Sequence, residues 1–326
     1  MVRLVRLSAF VISFCIVTTA LLGPVQAQSF PDRPLRLLVS FPPGGAADFV
    51  GRLLAQFLTP RLGQPVVVEN RPGSNGNVAG DVVLHAAADG YTLLLSSGSL
   101  YTVNPHLYTK MTFDPFKDLA PVASVVSDEL LLAENPALPP KTFKEFIAYA
   151  RAAKPPLLYG SIGNGSEHHL AMELLKERAG LEMTHVPYRG GGPAAIGVMR
   201  GEVSAMFGGG STTPLVQAGK LRALAVSGRN HVPLFPDLPS ISEFYPDYNV
   251  TIWQIVSVPA GTPPAIIARL RKAANDAIAQ PEFAQKLEKA GAGEPYATTP
   301  EELNARLRTD DASYGEVLKK IGLRIE

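Results

Sequence analysis

The stretch Val39-Ser40-Phe41-Pro42-Pro43-Gly44-Gly45-Ala46-Ala47-Asp48-Phe49-Val50-Gly51-Arg52 joins an apolar run to a helix through a glycine turn. The run from Leu35 to Phe41 ends in Pro-Pro-Gly-Gly. Behind it Phe49, Leu53, Leu54 and Phe57 recur at helical spacing on one face. The first-turn amides of a helix have no partner inside the helix, and the dipole turns its positive end there. Glycines let a ligand approach that backbone closely, so the turn fits an anion. It lacks the Gly-Lys-Ser/Thr of a nucleotide P-loop, and a carboxylate suits it better than a triphosphate. An ordinary strand-to-helix connection shows the same local pattern. Asp48 reads either as a charge complementing the helix N-terminus or as a contact for a ligand amine or an ordered water.

Residues 1–27 read as a cleavable signal peptide. Arg3 and Arg6 precede an apolar run from Leu7 to Leu22, and Val25-Gln26-Ala27 stands at the cleavage position. The only cysteine, Cys15, falls inside that leader, so the mature chain is expected to hold no thiol, disulfide or cysteine metal site. Export without disulfides points to a bacterial periplasm. Of 30 basic and 29 acidic residues the leader removes two arginines, which leaves a near-neutral chain with no basic patch for nucleic acid. No second long apolar run follows, so no transmembrane helix is expected after cleavage.

Ten strand-like runs, from Leu35–Phe41 to Ile252–Val258, alternate with seven amphipathic stretches, from Ala47–Leu58 to Pro300–Ile321. Such alternation predicts an α/β protein whose sheets are mainly parallel and flanked by helices. The length suffices for two such domains. Proline-rich segments at Leu130–Pro140 and Phe235–Tyr248 read as crossings between them. The expected division is residues 28–129 plus 249–326 for domain 1 and 130–248 for domain 2. Hinge crossovers are expected near 128–134 and 235–250, with a ligand cleft between the domains.

Four further turns rich in glycine or hydroxyls follow strand-like runs: Asn70–Asn77, Ser96–Ser99, Gly160–Ser166 and Gly208–Thr213. Ligands of open α/β sheets bind outside the carboxyl ends of strands, so these turns are expected to face one cleft. They offer Asn75, Asn77, Ser96, Ser97, Ser161, Gly163, Ser166 and Gly209, with hardly a charge among them, which favours capture and release over chemistry. Ser161 lacks the Gly-x-Ser-x-Gly elbow of an α/β-hydrolase. In Glu167-His168-His169 the adjacent histidines point about 100° apart on a helix and do not suit one metal ion. Gly190-Gly191-Gly192-Pro193 lacks the dinucleotide spacing. Tyr188 offers a hydroxyl or a ring, and Arg189 a cation. No cofactor, metal or catalytic residue is expected.

Taken together, Pro43–Asp48, Glu69–Gly73, Gly76-Asn77, Asp89–Leu93, Asn104-Pro105, Phe113–Asp118, Gly163–Ser166, His169–Ala171, His185–Gly190, Gly219–Val226 and Pro259–Pro263 resemble the Bug family, the substrate-binding proteins of tripartite tricarboxylate transporters. The resemblance runs the full length after the leader. It implies a monomeric two-domain Venus-flytrap receptor of the periplasm. Such a receptor takes a small mono- or dicarboxylate, aromatic ones included, and hands it to membrane permease subunits. By position, Pro43, Gly44, Gly45, Ala46 and Asp48 of one loop and Asn75 to Asn77 of a second would grip a carboxylate through backbone and water. Ser161–Ser166, His169 and Tyr188 would complete the cleft. A signalling receptor with the same cleft, and a hydrolase on the same scaffold, are the alternative readings. The chain departs from the family at Gly208-Gly209-Gly210, where a bulkier turn with Asp is usual, at Asn75 and at Ile162. These departures predict a roomier, less polar distal end of the cleft.

Overall fold

The computed structural model describes residues 30–209, 212–229, 232, 234–246 and 248–325. The signal-peptide reading of residues 1–27, and Gly210 and Ser211 of the Gly208–Thr213 turn, lie outside the described residues. In chain order the strands are β1 (Leu35–Val39), β2 (Val66–Asn70), β3 (Thr92–Ser97), β4 (Leu119–Glu129), β5 (Leu131–Glu134) and β6 (Leu157–Ser161). They continue as β7 (Met183–Pro187), β8 (Ala205–Gly208), β9 (Arg222–Val226), β10 (Thr251–Pro259) and β11 (Glu294–Pro295). The longer helices are α1 (Ala46–Leu62), α2 (Asn77–Leu84), α3 (Phe143–Ala152), α4 (Glu167–Ala179), α5 (Gly191–Met199), α6 (Pro264–Ile278), α7 (Pro281–Ala290) and α8 (Pro300–Ile321). Two sheets result, ordered β11-β4-β10-β3-β1-β2 and β7-β6-β8-β5-β9.

The sheets are mixed, not mainly parallel as the alternation of elements predicts. β1 pairs parallel with β2 and β3, but β10 runs antiparallel to β3 and β4. In the second sheet β6 is parallel to β7 and β8, and β5 is antiparallel to β8 and β9. The antiparallel partners β5 and β10 are the strands on which the chain enters a new sheet. Only Leu130 separates β4 from β5, so β5 continues the direction of β4 with no helical crossover to reverse it. The outward and return passages are bonded side by side. The Leu130 N–H donates to Ser227 Oγ at 2.8 Å, and Ser227 Oγ donates to the Val250 carbonyl at 2.6 Å.

Each sheet has its own core. Leu38, Leu94, Tyr101, Trp253 and Ile255 pack with Leu303 and Leu307 of α8. Leu132, Phe146, Tyr159, Leu175, Phe207 and Tyr248 pack in the second. Burying each such side chain contributes about 1.5–3 kcal/mol. A smaller cluster of Val103, Leu107, Leu170, Tyr314 and Leu318 joins α4 to α8 and to the short turns after β3. Phe49, expected on the buried face of α1, is 36% exposed. α7 escapes the periodicity reading because only Phe283 and Leu287 of it are buried.

Candidate functional site

A cavity of about 240 Å³ opens where the carboxyl ends of strands from both sheets meet the starts of three helices. Phe41 to Gly45, ahead of α1, and Ala46 and Ala47 in its first turn form one wall. Ser97 at the end of β3, Gln254 on β10, and Val126 and Asp128 on β4 form the floor across the first sheet. Ile162, Glu167 and His168 come from the start of α4, Arg189 to Pro193 from the start of α5, and Gly209 from the end of β8. A second hollow of about 270 Å³ lies between Thr213–Gln217 and Gln285–Gly291. It gathers none of the glycine turns that follow β1, β3 and β6, so the first cavity is the candidate site.

The loop before α1 is built to leave amides free. Gly44 takes φ +82°, a conformation that favours glycine, and its N–H donates to Asp48 Oδ2 at 2.9 Å. Asp48 also accepts from Arg52 and from Asn70 Nδ2, each at 3.0 Å. Burial alone would raise its pKa, but Arg52, the Gly44 amide and Asn70 together hold it below the usual aspartate value. Asp48 therefore braces the loop from behind and is not part of the cavity lining. Gly45, the N-cap, has an extended backbone at φ −87° and no side chain to occupy the first-turn amides. Gly190 is likewise an N-cap without a side-chain cap, at the start of α5. Two helix N-termini from different sheets thus present free N–H groups to one space, with Arg189 beside the second.

Pro43, Gly44, Gly45, Ala46, Ser97 and Gly209 line the cavity. The remaining residues marked from sequence lie outside that lining, and all of them except Ser96, whose buried Oγ has no hydrogen-bond partner, have structural partners. Asn75, at φ +50°, donates through Nδ2 to Ser99 Oγ, Asn104 Oδ1 and the Gly165 carbonyl at 2.8–3.0 Å. Asn77 accepts from Asn104 at 2.7 Å. Ser96 is buried in β3. Ser161 Oγ bonds His185 Nε2 at 2.7 Å and Gly163. Ser166 is the N-cap of α4, accepting from the His169 N–H at 3.3 Å. His169 stacks on His185 with ring centroids 3.8 Å apart and accepts from the Gly165 N–H. Tyr188 packs over Gly160 and Gly197 and bonds Glu202. These polar side chains satisfy turns and caps, the commonest use of such residues in loops.

The sequence reading missed the charged part of the wall. Glu167 reaches across to β3 and accepts from the Ser97 hydroxyl and from the Ser99 N–H. Burial raises its pKa and the serine bonds partly offset that. Burial pushes His168 down to about 3, so it is neutral. Asp128 sits against Gly209, where a Cβ would lie 2.8 Å from its Oδ2. Burial first and Glu129 next push Asp128 up to about 7. The expectation of a less polar end near Gly208-Gly209 is thus reversed: the missing side chain makes room for a carboxyl from β4. Gly190 to Pro193, set aside as a failed dinucleotide motif, carries a legible signal in its Pro at a helix start after a strand.

Glu129, next to Asp128, gives a pH test. Burial pushes it up to about 7, with Arg306 opposing and Glu294 adding. A carboxyl raised on folding stabilises the fold below its unfolded pKa, and that contribution is lost as pH rises toward the folded value. Glu129→Gln is therefore expected to be more stable than the parent at pH 8 and to lose that advantage at pH 4. Urea unfolding at both values reads the difference, from which the buried histidines cancel. An equal effect at both would contradict it.

The family model described as the tripartite tricarboxylate transporter family receptor matches residues 50–323. The chain belongs to this family. The receptor is 34% identical over 322 residues to BugT of Bordetella pertussis, covering 97% of this chain and 98% of that one. It is similar to Rpa4515 of R. palustris, solved with adipate, at TM-score 0.84 and 32% identity. That match covers 91% of this chain and all of the other. It is also similar to MatC of Rhodopseudomonas palustris, solved with malate, at TM-score 0.81 and 30% identity, over 89% of this chain and all of that one. The resemblance read from the sequence motifs is thereby established.

Proposed function

We propose that the chain is a non-catalytic periplasmic receptor, acting as a monomer, that captures a small organic carboxylate in this cavity and delivers it to a tripartite tricarboxylate-type permease. The observation that carries the reading is the pair of uncapped helix N-termini, at Gly45 and Gly190, that face one cavity with Arg189. Backbone donors of this kind hold an anion without a buried countercharge. Adipate and malate in the similar Rpa4515 and MatC are of the same chemical class. The bonded passages at Leu130, Ser227 and Val250 would serve as the hinge between domains 28–129 plus 249–326 and 130–248. The leader at 1–27 would carry the chain to the periplasm.

The test is a thermal-shift screen of small carboxylates beside their neutral amides. Binding to the native state raises the melting temperature with ligand concentration. Carboxylates are expected to do so and amides not; stabilisation by sugars alone would overturn the proposal. Arg189 lines the cavity but is exposed. Its removal in Arg189→Ala is expected to weaken binding by about 1 kcal/mol or less. Ser166→Ala should instead lower stability by about 1 kcal/mol through loss of the α4 cap, with affinity kept within twofold. Calorimetry and urea unfolding separate the two effects. A large affinity loss in Ser166→Ala would return that serine to the binding site.

A further inference from the structure

The cavity is electrically two-ended. Its anion-seeking wall is the loop after β1, while Asp128 lies on β4. In the sheet order β4-β10-β3-β1 these positions are three strand spacings apart, about 14 Å. Asp128 faces the Gly209 backbone, and Glu129 and Glu294 are the charges acting on it. Arg306, on α8, acts on Glu129. The other titratable groups of the wall are Glu167, His168 and Arg189, the last being the only cation in the lining among the described residues. Two neutral polar side chains add an independent sign of a ligand. Gln254 and His168 are each 7% exposed, both line the cavity, and Gln254 Oε1 and His168 Nδ1 have no hydrogen-bond partner. Buried polar atoms cost free energy unless a partner satisfies them. A carboxyl that has the Glu129 N–H but no ion-pair partner among the described residues, and an unpartnered amide oxygen, at one end of a cavity are acceptors awaiting a cationic donor.

We infer that the receptor's ligand is a carboxylate carrying an ammonium or other nitrogen donor at its far end, held by Asp128 with Gln254. This rests on the proposed function above and narrows its ligand class. Allowing one hydrogen bond at each end leaves about 8 Å between the ligand's two groups. That separation fits an amine several carbons from the carboxylate better than an α-amino acid. Gly209 is the specificity device on the opposite sheet, since any side chain there would meet the Asp128 carboxyl.

The test is titration calorimetry of the mature chain with three six-carbon acids that share one carboxylate: hexanoate, adipate and 6-aminohexanoate. At pH 8, 6-aminohexanoate is expected to bind at least tenfold tighter than the other two. Its affinity is expected to rise from pH 6 to pH 8, because Asp128 must be ionised to hold the ammonium while the amine stays protonated throughout. Asp128→Asn should bring 6-aminohexanoate within twofold of hexanoate, and Gln254→Ala should narrow the gap, with circular dichroism confirming both folds. Adipate binding best, and better at pH 6 than at pH 8, would overturn the inference in favour of a proton shared between two carboxyls and leave the receptor reading intact. Equal affinity for all three would overturn it too. No binding by any of them would overturn the inference and leave the receptor reading to the carboxylate screen described above.

Discussion

Gly45→Asp is expected to weaken carboxylate binding at least a hundredfold while leaving the fold as stable as the parent, or slightly more so. Gly45 already has the extended backbone of an N-cap, and a Cβ there meets only the Pro42 carbonyl at 3.6 Å. The substitution therefore brings no strain. Asp is among the best N-cap residues, and its carboxylate would accept from the first-turn amides of α1 and complement the dipole. The gain over Gly is a few tenths of a kcal/mol. The same carboxylate takes the donors that the ligand needs and repels its charge. Losing charge-assisted hydrogen bonds of about 1.5–3 kcal/mol each accounts for a hundredfold or more. The opposed signs separate this outcome from general damage. Retained affinity with a stabilised helix would show that the α1 N-terminus is only a connection.

Arg222→Ala is expected to destabilise the chain by about 3–5 kcal/mol near pH 8. Arg222, on β9, donates to Glu134 Oε1 at 2.9 Å and to the carbonyls of Pro136, Leu138 and Pro140. Glu134 is fully buried on β5, and even with Arg222 present burial pushes it up to about 7. Without the guanidinium a buried charge and three carbonyls lose their donor. The loss is expected to shrink toward pH 5, where Glu134 takes up a proton. Urea unfolding of both proteins at pH 5 and pH 8 measures it. A loss below 1 kcal/mol at pH 8 would mean that the segment Pro136–Pro140 relaxes freely.

What was legible in the sequence was what local pattern determines. The strand, glycine turn and helix at Leu35 to Phe57 need only neighbours in the chain. The alternation of elements gave the α/β class correctly and the sheet direction incorrectly. Strand direction depends on which strands carry the chain between sheets, as β5 and β10 do here. The acidic end of the site was hidden for the same reason. Asp128 reaches the cavity because β10 pairs Ile252 with Asp128 and Gln254 with both Val126 and Ser97. No local signal sets that register. Asn75, Ser161 and His169 were read as ligand groups because loop polarity looks the same whether it serves a ligand or the backbone.

A crystal structure of the receptor with the carboxylate that most raises its melting temperature tests the central claim most directly. The expected complex holds a carboxylate whose oxygens accept hydrogen bonds from the backbone N–H groups at the start of α1, inside the cavity that Arg189 and the start of α5 also line. A carboxylate bound elsewhere, with those amides left to water, would contradict it.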